Sequence, residues 1–125
     1  MPILNFQKCY AAAVENGSKS STIRRKRKIP IKARDTLHLY TGLRTRYSRR
    51  LGIATCLSVK PIAIHQTGDI RINGVLLDPA DESDLIRADG FSGKADFMDY
   101  FGRDGFPFEG DLISWGRLHE RSDAT

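Results

Sequence analysis

Residues 35–77 are written largely in the two-residue period of β-strands, and that limits the folds open to this chain more than any other feature. In residues 35–41, DTLHLYT, Leu37, Leu39 and Thr41 point one way while Thr36, His38 and Tyr40 point the other. Residues 51–64 form a longer β-prone stretch, in which Pro61 marks a bulge or an edge. Residues 69–77 read as a hairpin turned by Asn73-Gly74, the pair that favours a type I′ turn. A short strand at Ile3 and Leu4, an extended piece at 22–24 and a last strand over 111–118 complete the set.

Three short helices separate these strands. Phe6, Cys9, Tyr10, Ala13 and Val14 share one helical face, and Asn16-Gly17 ends that helix. A second helix starts at Asp78-Pro79, with Asp78 as cap and Pro79 at the first helical position, and ends near Asp89-Gly90. Ser92 is placed to cap a third, whose apolar side is Phe97, Met98 and Phe101 and whose stop is Gly102. Short strands with three helices predict an α+β fold, a small β-barrel decorated by helices, with an open α+β sheet as the alternative. A doubly wound parallel fold needs more βα units than this chain supplies. Trp115 reads as core.

Composition sets the function classes. The 125 residues suit one domain, and no apolar run approaches the roughly 18 residues that cross a bilayer. The first residues, MPILNFQKCYAAAV, lack the pattern of a secretory signal, so a cytoplasmic protein without membrane partners is expected. Cys9 and Cys56 form no CxxC and read as two reduced, partly buried thiols. His38, His65 and His119 share no ligand spacing, so neither a metal nor another cofactor is expected.

Charge is distributed unevenly. Residues 19–50 hold twelve Lys or Arg against Asp35 alone, a net of +11, whereas residues 69–125 carry a net of −7. A basic segment of that density points to a polyanion, RNA or DNA, or to a nucleotide. The other reading pairs these arginines with the chain's own acidic half. Tyr40, Arg44, Arg46, Tyr47, Arg49 and Arg50 interleave rings with guanidinium groups, a mixture suited to unpaired bases and phosphates. The run RRKRK at 24–28 has the composition of a nuclear signal, but nothing else in the chain points to a nucleus.

The segment from Gly17 to Arg24, GSKSSTIR, sets a lysine, four hydroxyls and an arginine directly after a helix-ending glycine. It is not a phosphate-binding GxxxxGK[ST] loop, and on composition it is a polar loop. It does match GxKxxTxR at Gly17, Lys19, Thr22 and Arg24, and so resembles the ASCH domain family. The following ARDTLHLYTG is similar to that family's GDxLxLY strand, with Arg34 in place of the glycine. Ala88-Asp89-Gly90-Phe91 resembles its acidic-Gly-aromatic element, and the LISW of residues 112–115 its closing strand. The resemblance covers about residues 3–118 and implies a single ASCH domain over 1–125 on a PUA-like β-barrel.

It also implies RNA or modified-nucleoside binding in a cleft formed by residues 17–24, 44–50 and Asp89. Arg24, Arg25, Tyr40, Arg44, Arg46, Arg49 and Arg50 are the expected nucleic-acid contacts. Some small members hydrolyse the acyl amide of N4-acetylcytidine with the motif lysine, the motif threonine and a downstream glutamate. Carried over, these are Lys19, Thr22 and Asp89, the last one methylene shorter than glutamate; Glu82, on a helix turn expected to face solvent, is the fallback acid. The alternative to a binding module is therefore a hydrolase of N4-acylated cytidine or of RNA phosphodiesters. Amide hydrolysis needs a nucleophile or base, an oxyanion donor and a proton shuttle. Lys19, Thr22 and Asp89 carry side chains of those three types.

Overall fold

The computed structural model describes residues 2–119; Met1 and residues 120–125, the ends of the domain expected over 1–125, lie outside the described residues. The chain runs β1 (Ile3–Phe6), α1 (Lys8–Asn16), β2 (Ser21–Arg25), β3 (Thr36–Thr41), β4 (Arg49–Ile64), β5 (Ile70–Ile72), β6 (Val75–Leu76), α2 (Pro79–Ala88), α3 (Lys94–Phe101) and β7 (Phe108–Trp115). The class is α+β, as expected. The strands order as β1-β3-β4-β5-β6, with β7 on β4 and β2 on β7. No pairing in this order returns to β1, so the described residues do not close into the expected barrel. The physical reason is β4. Its sixteen residues take three neighbours along its length, which branches the sheet instead of closing it.

The described residues divide into two compact units, the first made of residues 2–20, 31–58 and 114–119 and the second of 21–30 and 59–113. In the first, β1 lies parallel to β3, and β3 runs antiparallel to β4 with a register shift between Leu39 and Tyr40. That irregularity falls opposite Leu51 of β4. Alternation along β3 buries Leu37, Leu39 and Thr41, and Thr41 Oγ1 satisfies its hydroxyl by donating to the Phe6 carbonyl at 2.8 Å. Leu4, Phe6, Ala11, Val14, Leu51 and Trp115 are among the other buried residues of this unit, with Trp115 edge-on to Phe6 at 5.8 Å. Phe6 belongs to β1, and α1 starts later than the periodicity suggests. Gly17 ends α1 at φ 86°, the left-handed conformation that glycine adopts without strain.

The second unit packs Ile23, Ile62, Ile64, Ile70, Ile86, Phe97, Phe101 and Phe108 into one cluster. Asn73 and Gly74 both take positive φ, 53° and 78°, as a type I′ turn between β5 and β6 requires. Asp78 caps α2 by accepting from the Asp81 N–H at 2.8 Å, with Pro79 next. The cap of α3 is Gly93 rather than Ser92, whose hydroxyl instead donates to the Asp96 carboxylate. β7 begins at Phe108, three residues before the expected strand, and ends at Trp115. No helix among the described residues is long and apolar enough to cross a membrane.

Candidate functional site

Most of the chain's polar side chains are in water, as their solvation requires. Among the described residues the buried polar or charged ones are Lys19, Thr22, Thr41 and Asp89. Thr41 is explained by its bond to Phe6. The other three are the residues to which the sequence gives a chemical role, with relative exposures of 5%, 5% and 8%.

In the first unit, Lys19 follows the left-handed turn at Gly17 and is tied back by its N–H to the Ala13 carbonyl at 3.0 Å. Its ammonium lies 5.3 Å from the centre of the Tyr10 ring, a cation–π contact. Tyr10 therefore serves as the lysine's platform, whereas the sequence shows it only as one member of an apolar helix face.

The part of the basic segment over residues 42–50 is also in this unit. It is a built turn, with Gly42 and Arg44 at positive φ of 66° and 68°. Thr45 Oγ1 donates to the Gly42 carbonyl at 2.6 Å and accepts from the Tyr47 N–H at 3.1 Å. Arg46 lies over the Tyr47 ring at 5.2 Å and donates to its hydroxyl at 3.0 Å. Tyr47 is 71% exposed. Arg49 and Arg50 are not loop residues but open β4, and Arg50 is the register partner of Tyr40. Glu15 bonds Arg49 and holds its guanidinium above the usual range, first by the hydrogen bond and then by its charge. Tyr40 is half-buried.

In the second unit, β2 carries Thr22, Arg24 and Arg25. Arg24 Nε donates to Thr22 Oγ1 at 3.1 Å. Burial lowers the Arg24 pKa most strongly, Tyr100 and Asp89 oppose the change, and Arg27 lowers it further. Asp89 caps the C-terminus of α2, its N–H bonded to the Leu85 carbonyl at 3.0 Å. A carboxylate there meets the negative end of the helix dipole, and the Arg24 charge offsets that cost. Arg25 bonds Asp104 at 2.9 Å and lies 5.1 Å from the Phe108 ring centre.

Two expectations are corrected here. Glu82, the fallback acid, is not solvent-facing: it is partly buried and paired with Lys94. The two thiols are not alike, since Cys9 is exposed and Cys56 is buried. Among the described residues no three His, Cys, Asp or Glu side chains cluster as metal ligands.

The residues expected in one cleft thus fall into two groups by unit. Lys19, Tyr40, Arg44, Arg46, Arg49 and Arg50 belong to the first, and Thr22, Arg24, Arg25 and Asp89 to the second. Sequence reading missed Tyr10 under Lys19, Glu15 on Arg49, and Tyr100 with Asp104 beside β2. Their only signal is position in space, which no local spacing encodes.

No protein-family model matches the chain, and no curated protein does. Among solved structures, the chain is similar to the ASCH protein of Zymomonas mobilis. The TM-score is 0.57 at 14% identity, over 94% of this chain and 67% of that one. At that identity the likeness is one of fold.

Proposed function

We propose that this protein is an RNA- or nucleotide-binding domain of the ASCH type, with the residues of 17–24 and Asp89 as its ligand-reading groups and Arg44–Arg50 as its phosphate-tracking segment. The observation that carries the reading is the burial of Lys19, Thr22 and Asp89. Removing a lysine, a threonine and an aspartate from water costs free energy, and a chain keeps such groups buried where their chemistry is used. All three fall on positions that the GxKxxTxR motif and the acidic-Gly-aromatic element single out. The likeness in fold to the ASCH protein of Zymomonas mobilis supports the ASCH-type reading of the domain. The exposed Arg46–Tyr47 pair favours RNA over duplex DNA, because it offers a ring and a guanidinium plane to an unpaired base.

The test is anisotropy titration of a fluorescent single-stranded RNA across a salt series. Arg49→Ala with Arg50→Ala removes two phosphate contacts. It is expected to weaken binding and to lower the salt slope by about 1.4, at about 0.7 per contact on a single strand. An unchanged affinity and slope would remove the basic segment from the interface.

A hydrolase of N4-acylated cytidine is the second reading, and the seclusion of Lys19 over Tyr10 favours it. Cytidine release from N4-acetylcytidine that disappears in Lys19→Ala supports it; no release from the wild-type chain rejects it. The same incubation with RNA reads phosphodiester cleavage.

A further inference from the structure

The first unit holds a depression of about 390 Å³ between α1 and the basic turn. Lys8 and Ala11 line it from α1, and Arg49 from the start of β4. Thr41, Gly42, Thr45 and Tyr47 line it from the end of β3 and the turn that follows. Its volume falls in the range of sites that take a small molecule. What it can take depends on which of its polar groups are still open to a guest.

Most of the turn's polar groups are already engaged. The Thr41 hydroxyl donates to the Phe6 carbonyl. The Thr45 hydroxyl donates to the Gly42 carbonyl and accepts from the Tyr47 N–H. The Gly42 carbonyl also accepts from the Thr45 N–H at 3.1 Å, and the Thr45 carbonyl accepts from the Ser48 N–H at 3.2 Å. The Tyr47 hydroxyl accepts from Arg46. Ala11 brings a methyl group and Gly42 no side chain; a Cβ there would stand 2.9 Å from the Tyr47 carbonyl oxygen. The wall therefore offers carbon surface, and Tyr47, the exposed aromatic residue in it, has the most to give. Charge then selects the class of guest. Lys8 and Arg49 line the depression and Glu15 bonds Arg49, so two cations less one carboxylate leave a formal +1. The turn adds Arg44, Arg46 and Arg50, and residues 42–50 contain no acid. An uncharged apolar peptide gains nothing from that field. A planar base carried on a phosphate backbone gains from both the field and the carbon surface.

We propose that this depression takes one unpaired base of a bound RNA strand, seated against Tyr47, and that it takes bases without regard to their identity. Reading a base edge needs free donors and acceptors, and the wall has spent most of its own on closing the turn. The subsite rests on the RNA-binding reading, and adds a place for the base to the phosphate contacts of the same segment.

The experiment is anisotropy titration of the full chain with a short single-stranded RNA and with a strand of equal length and charge in which stable spacers replace the nucleosides. The phosphates are the same in both, so the difference reads the bases alone. The RNA is expected to bind at least about fivefold tighter, the lower end for one stacked base. Tyr47→Ala should bring the ratio of the two affinities close to one, whereas Tyr47→Phe, which keeps the ring, should hold it. Ala11→Met fills the depression without altering a charge or the ring, and should lower the ratio as well. Circular dichroism checks that each variant is folded. The ratio of oligouridylate to oligocytidylate affinity should stay within about twofold on Tyr47→Ala, because the subsite does not set it.

Equal binding of the RNA and the spacer strand overturns the base subsite and leaves strand binding through the phosphates standing. A preference for the RNA that survives Tyr47→Ala moves the base elsewhere on the chain and overturns the assignment to this depression. A shift of about fivefold or more in the uridylate-to-cytidylate ratio on Tyr47→Ala means that the wall reads base edges, and overturns the indifference to identity. If neither strand binds, the RNA-binding reading fails and the subsite fails with it.

Discussion

Gly110→Ala tests how closely β7 approaches the strand that carries the motif threonine and arginine. A Cβ at Gly110 would stand 2.2 Å from the Arg24 carbonyl oxygen and 2.9 and 3.0 Å from two atoms of the Phe108 ring. The obstacle is purely steric, since Gly110 does not take a positive φ. Real contacts of this kind stop near 3.0 Å, so the backbone must yield by roughly 0.8 Å. That movement stretches a hydrogen bond of about 2.9 Å to about 3.7 Å, beyond bonding range. One lost ladder bond costs about 1 kcal/mol. Overpacking adds about 1–3 kcal/mol. The expected destabilisation is about 2–4 kcal/mol, a fall in Tm of about 10 °C for a chain of this size. Urea unfolding followed by circular dichroism measures it. Gly52→Ala is the control, because its Cβ meets only the flexible end of Leu118, nearest at 2.8 Å, and should cost about 1 kcal/mol. A Gly110→Ala protein within about 0.5 kcal/mol of wild type would refute the close-approach argument.

Phe97 is fully buried and touches Phe101 at 4.7 Å and Phe91 at 5.4 Å, so Phe97→Ala should cost about 3–5 kcal/mol in the same assay. A loss below about 1 kcal/mol would mean that the second unit's core is not the one described. The thiols should separate in rate: Cys9 alkylates readily in the native protein and Cys56 only on unfolding. Burial raises the Cys56 pKa above the ordinary thiol range, so the unfolded chain ionises first as pH rises. Cys56 therefore contributes stability that is present below the ordinary thiol pKa and lost as pH rises above it. A pH series on Cys56→Ala should lack that decline.

Local periodicity carried most of the fold. The alternation Leu37-Leu39-Thr41, the Asn73-Gly74 turn and the Asp78-Pro79 start all depend on neighbours in sequence, and all were legible. The branching of β4 was not. Whether a long strand keeps one neighbour or takes three depends on pairings between distant segments, and its residues are equally β-prone either way. The site followed the same rule. Lys19, Thr22 and Asp89 lie in polar surroundings that composition reads as surface, and only the resemblance marked them. Arg25 and Asp104 are 79 residues apart, and no spacing relates them. Phe6 was assigned to α1 because an apolar residue one turn before Tyr10 fits a helix as well as a strand.

The Thr45 hydroxyl has a thermodynamic consequence. Basic segments that bind polyanions are commonly loose, and such a segment loses conformational freedom when its ligand arrives, at about 0.5–1.5 kcal/mol for each side chain immobilised. Here the turn is already closed by Thr45 on Gly42 and Tyr47, and Arg46 already lies against its ring. Much of that entropy is surrendered on folding, before any ligand is met. Binding through this segment should therefore show a smaller unfavourable entropy than its arginine content suggests, and Thr45→Ala should return that penalty to the binding step.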